Sequence, residues 1–129
     1  MVIPRFFKQA LKGDDIIVYG DGNQTRDFTY VYDTIKATIE IANKCKGSEI
    51  INITKGEDIT ILELAKKIIN LTKSTSKIKL VENPSFRKDY EVEKRFGSSK
   101  KLISLIGKKP ETSLDEGLLK TYNYILSEL

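Results

Sequence analysis

The sequence has no histidine, no tryptophan, one cysteine (Cys45), one methionine (Met1) and three prolines in 129 residues. Without histidine there is no His-based catalytic triad, and a lone thiol leaves neither a disulfide framework nor the usual His- and Cys-rich zinc site. No apolar run approaches the roughly 18 residues of a membrane span, and no signal peptide precedes Met1-Val2-Ile3-Pro4. The expectation is a soluble cytoplasmic chain in which Cys45 is a packed or incidental thiol. The length fits one globular domain with a core; it excludes a two-domain enzyme and any barrel of about 250 residues.

Charge of one sign is also scarce. The net charge is +4, and most of the 22 cations are lysines spread along the whole chain rather than gathered in a block. That distribution describes a solvated surface better than a nucleic-acid stripe, although Tyr30 and Tyr32 among lysines leave single-strand stacking as a third, weaker reading.

What is present reads as a small α/β assembly. Phe6, Phe7, Ala10 and Leu11 fall at helical spacing before Gly13, so a helix opens the chain. Ile16 to Tyr19 reads as a strand, Gly20-Asp21-Gly22-Asn23 as a hairpin turn, and Asp27 to Tyr30 as a second strand or extended segment. A helix from Val31 to Lys44 places Ile35, Ile39 and Ala42 on one face, and Glu49 to Ile53 reads as a short β-branched strand. Thr60 and Glu63 form a capping box for a helix carrying Leu64, Ala65 and Ile68, and Ser113 with Glu116 forms another for a final helix with Leu118, Leu119, Tyr122 and Ile125 inside. Between them lie an alternating strand at Lys77 to Val81, a polar segment from Glu82 to Phe96 suited to facing a ligand, and a short helix before Gly107.

The stretch from Val18 to Phe28 carries the most chemistry. It sets Arg26, one of four arginines, beside a turn, and an arginine fork grips phosphate oxygens in a bidentate way that a lysine cannot. An exposed turn with an Arg26–Asp27 ion pair accounts for the same residues. Asp27 and Asp33 fit a structural role, one steadying Arg26 and the other near a helix start, better than a pair for hydrolysis.

Ile3-Pro4-Arg5-Phe6, then Val18-Tyr19-Gly20-Asp21-Gly22-Asn23-Gln24-Thr25-Arg26-Asp27-Phe28, then Tyr30-Val31-Tyr32-Asp33 stand in the order found in extended short-chain dehydrogenase/reductase enzymes acting on sugar nucleotides. Asn52 to Gly56, Ile61 to Ala65, Arg87, Ser99-Lys100, Leu105 to Gly107, Pro110 and Ser113 to Leu118 resemble the rest of that pattern, so the resemblance spans nearly the whole chain. Members include UDP-glucose 4-epimerases, UDP-glucuronate decarboxylases and dTDP-glucose dehydratases. The resemblance implies that Arg26 and Arg87 reach the substrate pyrophosphate and that Val18 and Tyr19 border the nucleobase. Thr54 departs from the family's usual Gly, Gly97 from a common acidic residue, and Lys108 from an aromatic.

The resemblance also implies what the 129 residues lack. In the family an N-terminal Rossmann domain holds NAD on a Gly-rich strand-to-helix loop, and a Ser or Thr with a Tyr-x-x-x-Lys pair does the chemistry. Gly20 and Gly22 lack the third glycine of such a loop. Tyr32 with Lys36 and Tyr90 with Lys94 have the pair's spacing, but about one such pair is expected by chance among six Tyr and 18 Lys, and Tyr32 lies in the family's Tyr-Val-x-Asp segment, which is not its catalytic helix, so neither is assigned catalysis.

The expected fold is therefore α/β: a small substrate-binding domain, residues 1–129, of short strands and about five helices without the Rossmann sheet. The expected function is the sugar-nucleotide-binding portion of an NAD-dependent epimerase or dehydratase, not catalytic alone, taking a UDP- or dTDP-sugar and binding neither NAD nor metal itself. The alternative is an interaction module that docks on a separate Rossmann partner, in cis or in trans, or self-associates as a homo-oligomer. Such a module would expose apolar surface on the first helix and its neighbours. No nucleic acid or membrane partner is expected.

Overall fold

A computed structural model describes residues 1–85 and 92–128. Among these, five helices alternate with five short strands. They run α1 (Val2–Lys12), β1 (Ile16–Tyr19), β2 (Thr25–Asp27), α2 (Val31–Lys44), β3 (Asp58–Thr60), α3 (Ile61–Thr72), β4 (Ile78–Val81), β5 (Lys94–Arg95), α4 (Lys100–Ile106) and α5 (Leu114–Ser127). The α/β class, with short strands in two small sheets and five helices among the described residues, agrees with the sequence reading.

Local chemistry sets the helix ends. Gly13 closes α1 in the left-handed region at φ 72°, where a side chain is strained. Thr60 caps α3 by accepting from the Glu63 amide at 3.1 Å, and Glu63 returns the bond, so the first capping box is complete. The second is half made. Ser113 accepts from the Glu116 amide at 3.2 Å, but the Glu116 carboxylate pairs with Lys120 one turn on, at 2.7 Å.

The expected hairpin does not form. β1 pairs in parallel with β4, whereas β2 lies between antiparallel β3 and parallel β5 in a separate sheet. Gly20 continues the β1 ladder by donating to Val81 O at 2.8 Å, and Asp21 folds onto Asn23, so the turn leads away from β1 rather than back along it. The second strand also begins earlier than expected, at Thr25, and ends at Asp27.

Among the described residues Phe6, Phe7, Ala10, Ile16, Val18, Ile61, Leu64, Ala65, Ile68 and Leu118 form the main core, joining α1, β1, α3 and α5. Phe7 stacks on Tyr122 at 5.7 Å, while Leu119, expected inside, is exposed. A smaller cluster joins α2 to α4 through Ala37, Leu102 and Ile106, with Ile41, Ile51 and Ile53 against it.

Ile35, Ile39 and Ala42 share one face of α2 as expected, but that face points outward, and Ala37 and Ile41 pack instead. On α1, Phe6, Phe7 and Ala10 are buried, while apolar side chains are exposed on α2 and, as Leu119, Tyr124 and Leu126, on α5. Glu49 to Ile53 is no strand in either sheet. Side chains hold this stretch and its continuation: Lys101 Nζ donates to Ile50 O at 2.8 Å, Ser99 Oγ to Thr54 O, and the Lys55 amide to Thr29 Oγ1 at 3.1 Å.

Candidate functional site

The parallel pair β1–β4 ends at Tyr19 and Val81, and the connection from Gly20 to Gln24 crosses that end. Carboxyl ends of parallel strands are where α/β folds place ligands. A cleft of ≈ 460 Å³ opens there, lined by Gly20, Asp21, Asn23, Gln24, Asn83 and Glu93. A larger one, ≈ 500 Å³, lies between β3 and α3, where two of the three lining lysines are paired locally, Lys67 with Asp115 at 2.6 Å and Lys55 with Glu57 at 4.0 Å.

Tyr19 and Arg26 are joined through the turn. Gln24 Nε2 donates to Tyr19 O at 3.0 Å, and two residues later Arg26 Nη1 donates to Thr25 O and to Val92 O, both at 2.7 Å. Val18 stands apart from them: its side chain is fully buried in the main core, so only its main chain is open to a role at a ligand. Arg87 lies outside the described residues.

Two arginines that sequence reasoning passed over enter this neighbourhood. Arg5 sits over the Tyr19 ring at 4.9 Å and donates through Nη2 to Ile17 O at 3.1 Å, clamping the end of β1. Arg95 is the direct partner of Arg26 in the parallel β2–β5 register, so the two residues share a sheet face. Two guanidiniums on one face of a sheet can both donate to a single anion. Only the pairing of two distant strands could have revealed Arg95, whereas the helical spacing of Arg5 with the start of the core was visible.

Asp27 does not steady Arg26 in the expected way. Its Oδ2 accepts from Thr54 Oγ1 and from the Gly56 amide at 2.9 Å. Asp33 accepts from the Glu111 and Thr112 amides at 3.1 and 2.8 Å and from Thr112 Oγ1 at 3.0 Å. Burial opposes its ionisation, but these bonds outweigh it and hold the carboxyl below the usual range. Lys108, the third departure from the family pattern, pairs with Glu40 of α2 at 2.6 Å.

Gly20 and Gly22 lie between two strands, which is not the strand-to-helix loop that cradles a dinucleotide phosphate. Tyr32 is exposed on α2 and Lys94 pairs with Asp58 at 3.6 Å; Tyr90 lies outside the described residues. No group of three or more metal-ligating side chains occurs among the described residues, and none of their helices is long and apolar enough to cross a membrane.

Fold and sequence together define part of a protein of the extended short-chain dehydrogenase/reductase type. The chain belongs to the GDP-mannose 4,6 dehydratase family, whose pattern matches residues 1–121. It is 43% identical to a UDP-N-acetyl-alpha-D-glucosaminuronate decarboxylase of Bacillus cytotoxicus, over 95% of this chain and 39% of that protein. It is 37% identical to UDP-glucuronic acid decarboxylase 1 of Danio rerio, over 99% of this chain and 29% of the other. The fold superposes on the UDP-glucose 4-epimerase of Thermotoga maritima, solved with UDP-glucose, at a TM-score of 0.89 and 26% identity, covering 99% of this chain and 40% of that one. The chain thus spans two fifths or less of the length of these relatives.

Proposed function

We propose that residues 1–129 form the sugar-nucleotide-binding domain of an NAD-dependent sugar-nucleotide epimerase or dehydratase, similar to a UDP-glucose 4-epimerase, and that this cytoplasmic domain is not catalytic alone. One observation carries the reading: Arg26, on the strand that follows the Tyr19 turn, stands in register beside Arg95 of the paired strand β5. Paired guanidiniums answer the charge of a diphosphate, and a tyrosine ring offers a flat surface to a base. The bound ligand is a UDP- or dTDP-sugar. In the complete enzyme NAD, held by a Rossmann domain supplied in cis or in trans, provides hydride chemistry; the residues described here bind and orient the nucleotide end of the substrate.

Calorimetric titration with UDP-glucose tests this. The wild-type chain is expected to bind, and Arg26→Ala to bind about tenfold more weakly or worse, the loss of a charge-assisted contact. Equal affinities would remove Arg26 from the site. No reduced cofactor should accumulate when the chain is mixed with UDP-glucose and NAD, and clear turnover would refute the non-catalytic reading. The second reading, an interaction module, is favoured by the outward apolar side of α2.

A further inference from the structure

Arg5 stands one turn ahead of Gln9 on α1, and the two side chains reach the same residue of β1. Gln9 Oε1 accepts from the Ile17 amide at 3.4 Å, and Arg5 Nη2 donates to Ile17 O at 3.1 Å. Among the described residues β1 is laddered on one edge, to β4, and α1 sends these side chains to the other. Tying Ile17 takes one acceptor and one donor, and Arg5 does more than that.

Its guanidinium lies against two rings, 4.9 Å from the Tyr19 centroid and 5.4 Å from that of Phe6, which is fully buried in the main core. Ile17 and Tyr19 alternate with the buried Ile16 and Val18, so the anchor at Ile17 and the ring of Tyr19 share one face of the strand. The guanidinium keeps this place although its Nε is buried and meets no acceptor among the described residues. A buried donor left unmade is costly, so the contact with the ring prevails over a complete set of hydrogen bonds. The main chain at Tyr19 is fixed as well, its carbonyl accepting from Gln24 Nε2 at 3.0 Å.

We propose that Arg5 is a positioning residue of the nucleotide site: from α1 it holds the Tyr19 ring in the orientation that receives the base. The proposal rests on the sugar-nucleotide reading above. A mobile tyrosine gives up rotamer freedom when a base stacks on it, whereas a ring held by a cation and carried on a tied main chain has given it up beforehand. Arg5 thus acts on affinity through Tyr19 without touching the ligand, and it couples the base platform to the main core through Phe6.

Calorimetric titration of the whole chain with UDP-glucose tests this by a double-mutant cycle. Arg5→Gln, which keeps an amide donor for Ile17 but takes the cation from the ring, is expected to weaken binding about threefold to tenfold. In a Tyr19→Leu background Arg5→Gln should change nothing further. Gln9→Ala, which loosens the same strand residue without reaching the ring, should bind as the wild type does. An Arg5→Gln effect that persists without the tyrosine, or that Gln9→Ala reproduces, makes Arg5 a support of β1 and overturns the proposal. Equal affinity of Arg5→Gln and wild type overturns it too and leaves the substrate-binding reading standing, whereas a wild-type chain that does not bind UDP-glucose removes both. Because the variant can fail to fold, Arg5 is also followed in the wild-type chain by NMR. The Nε–H resonance, beside the Tyr19 ring, is expected to shift on addition of UDP-glucose, and no shift at saturation would overturn the positioning role.

Discussion

Thr54 and Gly97 each depart from the family pattern, and they touch. A Cβ built on Gly97 would lie 2.8 Å from Thr54 Cγ2 and 3.1 Å from its Cβ, so the absence of a side chain at 97 is what makes room for the threonine. Thr54 cannot easily yield, because its hydroxyl donates to Asp27 and its carbonyl accepts from Ser99. Gly97→Ala is therefore expected to cost about 1–3 kcal/mol by overpacking, and the cost should shrink in a Thr54→Gly background. Urea unfolding of both single variants and the double variant checks this; additive effects would show that the two departures are unconnected. Arg95 makes a converse case. Arg95→Ala should weaken UDP-glucose binding and lower its dependence on salt, with little change in the stability of the free chain. A variant that lost stability and kept affinity would make Arg95 a structural residue.

Elements were legible in the sequence wherever their cause is local. The Thr60–Glu63 box, the glycines after α1 and α4, and the repeat of Phe6, Phe7 and Ala10 each report a nearby partner. Pairing was not legible, because β1 finds its partner in β4, beyond two helices, and the same gap hid Arg95 from Arg26. Periodicity revealed that α2 has an apolar face but could not say which of two would be covered within this chain. Arg26 could be picked out because its neighbours in sequence form the turn, while Val18's burial depends on α1 and α3 folding over it. One long-range contact does tie α2 down: Asp33, in its first turn, receives three hydrogen bonds from Glu111 and Thr112. The folded carboxyl is held below its ordinary value, so its contribution is present above the unfolded value near 3.8 and fades as pH falls through the folded one. Wild-type protein should thus lose more stability than Asp33→Asn between pH 6 and about pH 3, by urea midpoints; parallel losses would mean that Asp33 contributes nothing to the acid limb.

At the scale of the whole molecule, two cores of unequal size share one chain. The first joins four elements through ten buried residues, whereas the second rests on three, Ala37, Leu102 and Ile106, with half-buried isoleucines around them. Burial drives folding roughly in proportion to apolar area, and regions with few buried contacts open at lower free energy than the rest. Native-state hydrogen exchange of the chain alone is accordingly expected to show α2 and α4 opening together, below the energy at which α1, β1 and α3 exchange. Leu102→Ala should speed exchange in α2 and α4 while leaving α1 and α3 protected. Leu64→Ala, in the main core, should lower protection everywhere by about 2–5 kcal/mol. Uniform protection across both regions would mean one cooperative unit.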